Sequence, residues 1–381
     1  MTALNNGNVS KKAFQLTELI ETQPFGKFHI KVIALCFLII FLDGFDTTLM
    51  GFIAPSLVHD WQIDKHALGP VISAALVGMA FGSFAAGPIA DRYGRKLVLV
   101  VGVFLFAAMT LLSAFAPDLD WLTALRLLTG LGLGATIPNA CTLAAEYAPR
   151  KHRAVVVTTV LCGFTIGSAA GGFTSSWVLQ YWGWQGVLVS CGGAALLLVP
   201  LLIALMPESL HLIIKRGGTA KRVQALLAKF APQVGNAEVL ADTEEAVEIR
   251  NPVAAILAPV HRLATFALWC AFFMASFASY ILIGWLPMLV TDAGFTISDA
   301  AMTAGVLQTG GAIGVILLGR AMDRWSPHLV LAGGYLGSAL LIFLLGTSAN
   351  HLLVLMVFAG LAGCFLAVSY THLTLPTNRE V

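Results

Sequence analysis

The sequence predicts an all-α membrane protein with about ten membrane-spanning helices. Of its 381 residues, 58% are hydrophobic and 11% are charged, whereas about 25% of the residues in soluble globular domains carry a charge. The apolar residues form stretches of about 18 residues or more, each long enough to cross the ~30 Å hydrocarbon core of a bilayer. An ordinary soluble enzyme is therefore excluded. The stretches cover residues 30–57, 67–90, 97–116, 121–145, 154–178, 184–206, 262–290, 299–319, 328–347 and 350–368.

The distribution of positive charge predicts the orientation of these helices. Of the 22 lysine and arginine residues, 19 fall in segments on the same side of the membrane as the N-terminus. Segments rich in these residues are cytoplasmic in membrane proteins, so the N-terminus is expected to lie in the cytoplasm. The first 27 residues are mostly polar and contain no cleavable signal. We therefore expect the first helix to be retained.

The chain divides into two related halves. Residues 207–261 interrupt the hydrophobic pattern and are predicted to form a cytoplasmic linker. The halves on either side match at a constant offset of 232 residues, which indicates an internal duplication of the kind from which transporters are built. The matched pairs are Pro55 with Pro287, Gly78 with Gly310, Gly82 with Gly314, Gly87 with Gly319, Asp91 with Asp323 and Arg92 with Arg324.

This organisation predicts five segments. They are a cytoplasmic N-terminal segment (1–29), a six-helix bundle (30–206), the linker (207–261), an incomplete bundle of four helices (262–368) and a tail (369–381). The tail is polar where the repeat predicts a membrane helix, so we expect it to be non-native. The duplication calls for two further helices, so the chain is expected to be truncated at its C-terminus.

Two aspartates interrupt the first apolar stretch. Asp43 and Asp46 lie in the run FLDGFDTTLMGFIAPSL, and their spacing puts both on one face of a helix. A carboxylate at bilayer depth costs roughly 2.5–3.5 kcal/mol, so it usually faces a cavity or a partner and has a function. Because burial disfavours the charged form of a carboxyl group, either residue is a candidate proton carrier.

A charged motif follows the second stretch. The sequence GPIADRYGRK (87–96) fits the pattern G-x-x-x-D-R-x-G-R-K, and GRAMDR (319–324) is a weaker copy in the second half. A loop that served only to keep positive charge on one side of the membrane would explain the basic residues of this motif but not the aspartate or the glycines. We interpret the motif as a latch, in which Gly87 lets helices approach closely and Asp91 caps a helix or pairs across the seam between the bundles. The candidate conformational residues are Gly87, Asp91, Arg92, Gly94, Arg95, Lys96, Glu146, Asp323 and Arg324.

The fourth stretch contains a buried base. Arg126 lies in LTALRLLTGLGLGATIPNA (122–140), and its predicted depth in the membrane is similar to that of Asp46. It could pair with Asp46 or with the carboxylate of a ligand; a purely structural ion pair is the alternative. The glycines of this stretch follow no strand, so they indicate helix packing rather than a dinucleotide site.

The ends of the fourth and fifth stretches carry further signals. Glu146 ends the fourth stretch, and we expect it to pair with Arg150 or the adjacent loop in a gating role. In the fifth stretch, GFTIGSAAGG (163–172) has glycines at four-residue spacing. This spacing predicts close packing against another helix.

Together these motifs resemble a known family. The loop at residues 87–96 resembles the signature of the major facilitator superfamily. The strings DGFDTTLMGFIAPSL (43–57), LRLLTGLGLGATIPNA (125–140) and GWLP (284–287) are similar to the aromatic acid:proton symporters of that superfamily, above all to the 4-hydroxybenzoate and protocatechuate carriers. The resemblance implies the major facilitator fold, which has two six-helix bundles.

The resemblance also implies a function. A member of this family is a secondary active transporter of the bacterial inner membrane that imports an aromatic carboxylate with a proton by alternating access. Asp43 and Asp46 would handle the proton, and Arg126 would hold the carboxylate through its bidentate fork. Aromatic side chains in the first and seventh stretches would stack on the ring. The candidate substrate-binding residues are Arg126, Phe45, Tyr280 and Trp285.

The expected partners are a small aromatic carboxylate, protons and the lipid bilayer. We expect a monomer that uses the proton gradient, with no cofactor, metal or nucleic acid, and no enzymatic activity because no catalytic constellation is present. The six cysteines and nine histidines show no metal-ligand spacing. Two alternatives remain open: a proton symporter of another small organic anion, and a non-transporting membrane receptor for aromatic acids.

Overall fold

Ten helices form nearly all of the part of the chain that the structure describes. The computed structural model describes residues 13–15, 25–209, 212–213, 238–240, 262–348 and 351–366. The helices of the first half are α1 (Lys27–Trp61), α2 (Leu68–Tyr93), α3 (Arg95–Ser113), α4 (Leu119–Tyr147) and the stretch Arg150–Leu205, which contains α5 and α6. Those of the second half are α7 (Arg262–Asp292), α8 (Ile297–Arg324), α9 (Pro327–Thr347) and α10 (Leu352–Leu366). A short parallel pair joins β1 (Ala13–Gln15) to β2 (Glu238–Leu240).

Gly183 separates α5 (150–182) from α6 (184–205). Its backbone has φ 61° and ψ −166°, a conformation that is essentially restricted to glycine. A side chain at this position would strain the backbone, so the reversal between the two helices depends on glycine. The chain therefore crosses the bundle twice within one nearly continuous helical stretch.

The prediction of an all-α fold with about ten spans is confirmed. Within the described residues, eight helices are long and apolar enough to cross a membrane when α5 and α6 are counted together, and Leu352–Leu366 is a shorter apolar helix. The ends of the helices lie within five residues of the predicted stretches. Most of the linker and all of the tail lie outside the described residues, so the predicted segment boundaries stay a prediction.

Close packing of α2 on α4 is repeated in the second half. Cβ atoms at Gly78 and Gly82 would overlap with backbone oxygens of α4. Cβ atoms at Gly310 and Gly314 would overlap in the same way with backbone oxygens of α10. Because these glycines are matched pairs of the sequence repeat, the duplication extends to helix packing.

The glycines of α4 bring it close to both of its neighbours. Cβ atoms at Gly130 and Gly134 would overlap with backbone oxygens of α2, and one at Gly132 would lie 2.6 Å from the Gly102 oxygen of α3. Small residues permit such contacts between membrane helices. The prediction that these glycines serve helix packing is confirmed.

The two halves meet at one end of the bundle and separate at the other. We call the end where α1 begins the proximal end and the end where α1 finishes the distal end. The apolar core at the distal end contains Met288, Ala301 and Ala304 of the second half together with side chains of α1, α2 and α6. The proximal core of the first half contains residues of α1, α3, α4, α5 and α6 and none from the described second half. A space between the halves is therefore confined to the proximal side.

Candidate functional site

A buried ion pair links α1 to α4 inside the first half. Arg126 Nη1 donates a hydrogen bond to Asp46 Oδ1 at 2.9 Å, and their side chains are 0% and 1% exposed. Two hydroxyl groups of α3 extend the network: Arg126 Nη2 donates to Thr110 Oγ1 at 2.9 Å and to Ser113 Oγ at 3.2 Å. Thr110 in turn donates to Asp46 Oδ2. Because a buried charge is costly unless it is paired and hydrogen-bonded, these four residues form one electrostatic unit.

Asp43 is equally buried but has no cationic partner. Thr136 of α4 donates to its Oδ2, and Thr47 donates to its Oδ1 at 3.2 Å. No salt bridge between described residues includes Asp43. The two aspartates of α1 therefore lie in different electrostatic surroundings, one opposite a guanidinium group and the other among hydroxyl groups.

Close contact between α1 and α5 fixes the position of Asp43. A Cβ atom at Gly44 would overlap with the Phe164 backbone oxygen, and one at Gly167 would overlap with the Phe41 backbone oxygen. Ser168 Oγ also donates to the Gly44 oxygen at 2.8 Å. The two backbones thus touch on both sides of Asp43, and the predicted packing role of the α5 glycines is confirmed.

A cavity of about 290 Å³ lies between the two halves on the proximal side. Its size is near the lower limit of small-molecule sites and suits a molecule with one ring. None of the residues that line it is charged. The first half contributes Met79, Ile137, Thr158, Leu161, Cys162, Phe164 and Thr165, and the second half contributes Phe272, Ser279, Tyr280, Ile283, Leu307, Gln308, Gly311, Val315, Gly363 and Leu366.

Two contacts connect the surroundings of Asp43 to the wall of this cavity. Phe164 lines the cavity, and its backbone oxygen lies against Gly44, the neighbour of Asp43. Ile137 also lines the cavity and follows Thr136, which donates to Asp43. The helices that hold Asp43 and its hydroxyl partner thus contact or form the first-half wall.

The sequence predicted four substrate-binding residues, and only Tyr280 lines this cavity. Arg126 is fully buried and bound to Asp46, so in this conformation it has no access to a molecule in the cavity. Phe45 packs in the distal core with its ring against Gly171, and Trp285 is half-buried away from the cavity wall. Apolar stretches define depth along a helix but not the direction in which a side chain points, which explains the difference.

A polar cluster joins the halves at the distal end. Ser298 at the start of α8 donates to the Ser176 oxygen of α5 at 2.8 Å, and the hydroxyl groups of the two serines are also 2.8 Å apart. Gln180 Nε2 donates to Ser298 Oγ at 2.8 Å. Lys65, which follows α1, pairs with Asp292 at the end of α7. These contacts close the distal side while the cavity lies on the proximal side.

The fold and the sequence both match known membrane transporters. The sequence matches the Major Facilitator Superfamily profile over residues 36–378. The chain belongs to the major facilitator superfamily. Members of this family transport solutes without a cofactor and are not enzymes. Their fold is the one that we predicted from the sequence. A group of three or more His, Cys, Asp or Glu side chains that could hold a metal ion is absent from the described residues.

Several relatives are similar over most of their length. The chain is 42% identical to the 4-hydroxybenzoate transporter PcaK of Pseudomonas aeruginosa, over 90% of this chain and 77% of the relative. It is 40% identical to the gallate transporter of Pseudomonas putida, over 93% of this chain and 79% of the relative. Among solved structures, the partially occluded inward-open xylose transporter XylE from E. coli has a TM-score of 0.71 at 19% identity, over 91% of this chain and 84% of that chain. This last similarity concerns the fold alone.

The superfamily signature loop is held by contacts within the first half. Arg95 Nε pairs with Glu146 Oε1 of α4 at 2.8 Å. The side chain of Arg150 lies outside the described residues, so the expected pairing of Glu146 with Arg150 stays a prediction. Lys96 Nζ donates to the Ile203 oxygen of α6 at 2.7 Å. The loop therefore fastens α3 to α4 and α6.

Glu208, which follows α6, caps the N-terminus of α3. Its Oε1 accepts from the Lys96 backbone N–H at 3.1 Å, and its backbone oxygen accepts from Tyr147 Oη at 2.6 Å. Gly94 has φ 115°, and a Cβ atom there would overlap with the Glu208 carboxylate. A carboxylate is favourable at the N-terminus of a helix. Glu208 can occupy this position because Gly94 has no side chain.

Two parts of the latch interpretation do not match this conformation. A Cβ atom at Gly87 would meet nothing within 4 Å among the described residues, because close approach of α2 to α4 occurs further along, at Gly78 and Gly82. Asp91 is exposed, and the described residues offer it no ion pair across the seam. In the second copy Arg324 is exposed, Gly319 likewise has open space, and the Asp323 side chain lies outside the description. Arg92 lies over the Tyr93 ring, 5.4 Å from its centroid.

Several residues of the site had not been recognised from the sequence. Thr110, Ser113 and Thr136 bind the charged groups, and Cys191 Sγ lies 3.8 Å from Asp46 Oδ2. Hydroxyl and thiol groups are common in membrane helices, where they usually bond to their own backbone. Their spacing therefore carries no signal until the helix that faces them is known.

Proposed function

We propose that this protein is a secondary active transporter that imports aromatic carboxylates, of the 4-hydroxybenzoate and protocatechuate type, with protons by alternating access. The observation that carries the proposal is an uncharged cavity between two halves together with a buried carboxyl group on α1, a helix that packs against a wall residue of this cavity. Three aromatic side chains line this cavity, Phe164, Phe272 and Tyr280, and can pack against an aromatic ring. The names of the relatives point to the same class of substrate.

In this proposal Asp43 carries the coupling proton. An ionised carboxylate without a cation is costly in a low-dielectric interior, and the described residues stabilise Asp43 through two hydroxyl groups alone. Asp46 is compensated by Arg126, so it has less need of a proton. Gain and loss of a proton at Asp43, on a helix that packs against a residue of the cavity wall, would couple proton movement to the state of the cavity.

Arg126 then acts on transport through Asp46. Its guanidinium group joins α1, α3 and α4 in one buried network. Direct binding of a substrate carboxylate would require this network to open towards the cavity. We therefore assign Arg126 a positioning role in the conformation described here, with substrate contact confined to conformations in which Asp46 releases it.

The proposed location is the bacterial cytoplasmic membrane, with the N-terminus in the cytoplasm. Nearly all lysine and arginine residues lie on the proximal side or in the linker, as the positive-inside rule requires. Exposed aromatic side chains at the end of α5, Trp177, Tyr181 and Trp182, fit the opposite membrane interface. The cavity then lies on the cytoplasmic side.

Uptake into proteoliposomes tests this function. With a lower pH outside than inside, the protein should accumulate labelled 4-hydroxybenzoate above equilibrium, and a protonophore should abolish the accumulation. Unlabelled benzoates should compete, whereas aliphatic acids should not. Competition by aliphatic acids alone would favour a symporter of another organic anion, and saturable binding without flux would favour a receptor.

A further inference from the structure

Two buried polar groups on the second-half wall of the cavity have no hydrogen-bond partner. Gln308 of α8 is 9% exposed and Ser279 of α7 is 4% exposed, and both line the cavity. Gln308 Nε2 and Ser279 Oγ make no hydrogen bond to the described residues. Across the cavity, the Thr165 hydroxyl already donates to the Cys162 oxygen at 3.1 Å. Among the described residues, the buried unpaired atoms on this cavity thus belong to the second half.

Buried groups of this kind are costly to leave unpaired. Native proteins satisfy nearly all buried polar side chains, and exceptions call for an explanation. Ser338 of α9 illustrates the usual solution, since its buried hydroxyl donates to the Gly334 oxygen of its own helix at 2.8 Å. Gln308 Nε2 and Ser279 Oγ instead have no such partner among the described residues, and both residues line a space large enough for a ligand.

The polar groups of Gln308 and Ser279 indicate which end of an aromatic acid would bind next to them. Neither half contributes a charged residue to the described cavity wall, so the groups that could orient a substrate there are uncharged and polar. A phenolic hydroxyl group is uncharged and both donates and accepts a hydrogen bond. The glutamine amide also donates and accepts, and the serine hydroxyl does the same. The match is therefore with the ring hydroxyl group.

We infer that Gln308 and Ser279 recognise the ring hydroxyl group of the substrate and so determine selectivity for hydroxylated over unsubstituted aromatic acids. This inference rests on the proposed function. The ring lies between the two halves, with its hydroxyl end at α7 and α8. Selectivity and proton coupling are then divided between the halves, with Gln308 in the second half and Asp43 in the first.

The test compares inhibition of labelled benzoate uptake by unlabelled 4-hydroxybenzoate and by unlabelled benzoate in proteoliposomes. The wild-type protein should show tighter inhibition by 4-hydroxybenzoate. Gln308→Met keeps the side-chain length but removes the amide, so it should lower this preference about three- to tenfold and leave inhibition by benzoate unchanged. Ser279→Ala should act in the same direction and serves as the second variant if Gln308→Met does not fold.

A matched control separates recognition from general damage. Ser338→Ala removes a buried hydroxyl group of α9 that has a backbone partner and does not line the cavity. This variant should retain the wild-type preference. An equal loss for both acids in the Gln308 and Ser279 variants, or an unchanged preference, would overturn the inference alone. Absence of any aromatic acid uptake by the wild-type protein would instead overturn the proposed function.

Discussion

Asp43 and Asp46 lie one turn apart on α1, yet among the described residues only Asp46 has a cationic partner. Arg126 approaches Asp46 to 2.9 Å, whereas hydroxyl groups of Thr47 and Thr136 are the partners of Asp43. Two carboxyl groups at similar depth thus have different electrostatic surroundings. We therefore expect Asp43 to transfer the proton and Asp46 to hold the helices of the first half together.

Breaking the ion pair on one side should destabilise the protein more than removing both charges. Arg126→Met leaves Asp46 buried without a cation, and Asp46→Asn leaves Arg126 without an anion. Removing one partner of a buried ion pair lowers the free energy of unfolding by about 3–5 kcal/mol. Each single variant should therefore unfold at a clearly lower temperature than the wild-type protein in detergent. The double variant Asp46→Asn, Arg126→Met should recover most of this loss.

Arg126→Lys is the conservative control for the same pair. An ammonium group cannot reproduce the planar fork that contacts Asp46 and two hydroxyl groups at once. This variant should therefore keep part of the stability but lose uptake.

The double variant Asp46→Asn, Arg126→Met also provides the outcome that would contradict the ion pair. If it is no more stable than Asp46→Asn or Arg126→Met alone, the pair is not an isolated electrostatic unit.

The distal contact between Ser176 and Ser298 should open during transport. The hydroxyl groups of the two serines are 2.8 Å apart, so cysteines at both positions would bring two sulfur atoms within reach of a disulfide bond of ~2.05 Å. Oxidation of the variant Ser176→Cys, Ser298→Cys should stop uptake, and a reducing agent should restore it. Each single cysteine variant, treated in the same way, controls for the native cysteines. Full uptake by the cross-linked protein would mean that this contact does not open.

Gly167 should tolerate no side chain. A Cβ atom there would overlap with the Phe41 backbone oxygen, so Gly167→Ala would force α1 and α5 apart at a cost of about 1–3 kcal/mol. Gly193 of α6 is the matched control, because a Cβ atom there meets nothing within 4 Å among the described residues. Gly193→Ala should be neutral or stabilising by up to about 1 kcal/mol. Thermal unfolding of the purified variants measures both effects; equal stabilities would contradict the close contact.

Much of the fold could be predicted from the sequence because the bilayer imposes a simple rule. A helix that crosses the hydrocarbon core must be apolar over its length. The ends of the helices and the charged residues within them can therefore be recognised in the sequence. Asp43, Asp46 and Arg126 were recognised as such exceptions. The match of Gly78 with Gly310 likewise indicated the duplication, and the structure extends it to helix packing.

The orientation of side chains around each helix could not be predicted in this way. Phe45 and Trp285 lie at suitable depth but point away from the cavity, and Arg126 points into the first half. Gln308 carries no charge, so nothing in its sequence surroundings distinguishes it from other polar residues of a membrane helix. Which of these residues meet depends on contacts between helices far apart in the chain.

The central claim is that Asp43 carries the coupling proton. Asp43→Asn should be compared with the wild-type protein in proteoliposomes by two measurements: accumulation of labelled 4-hydroxybenzoate driven by a pH gradient, and exchange of labelled for unlabelled substrate without a gradient. The account predicts that the variant loses accumulation but retains exchange, because an amide mimics the protonated carboxyl group and cannot release a proton. Accumulation by Asp43→Asn at the wild-type level under a pH gradient would contradict it.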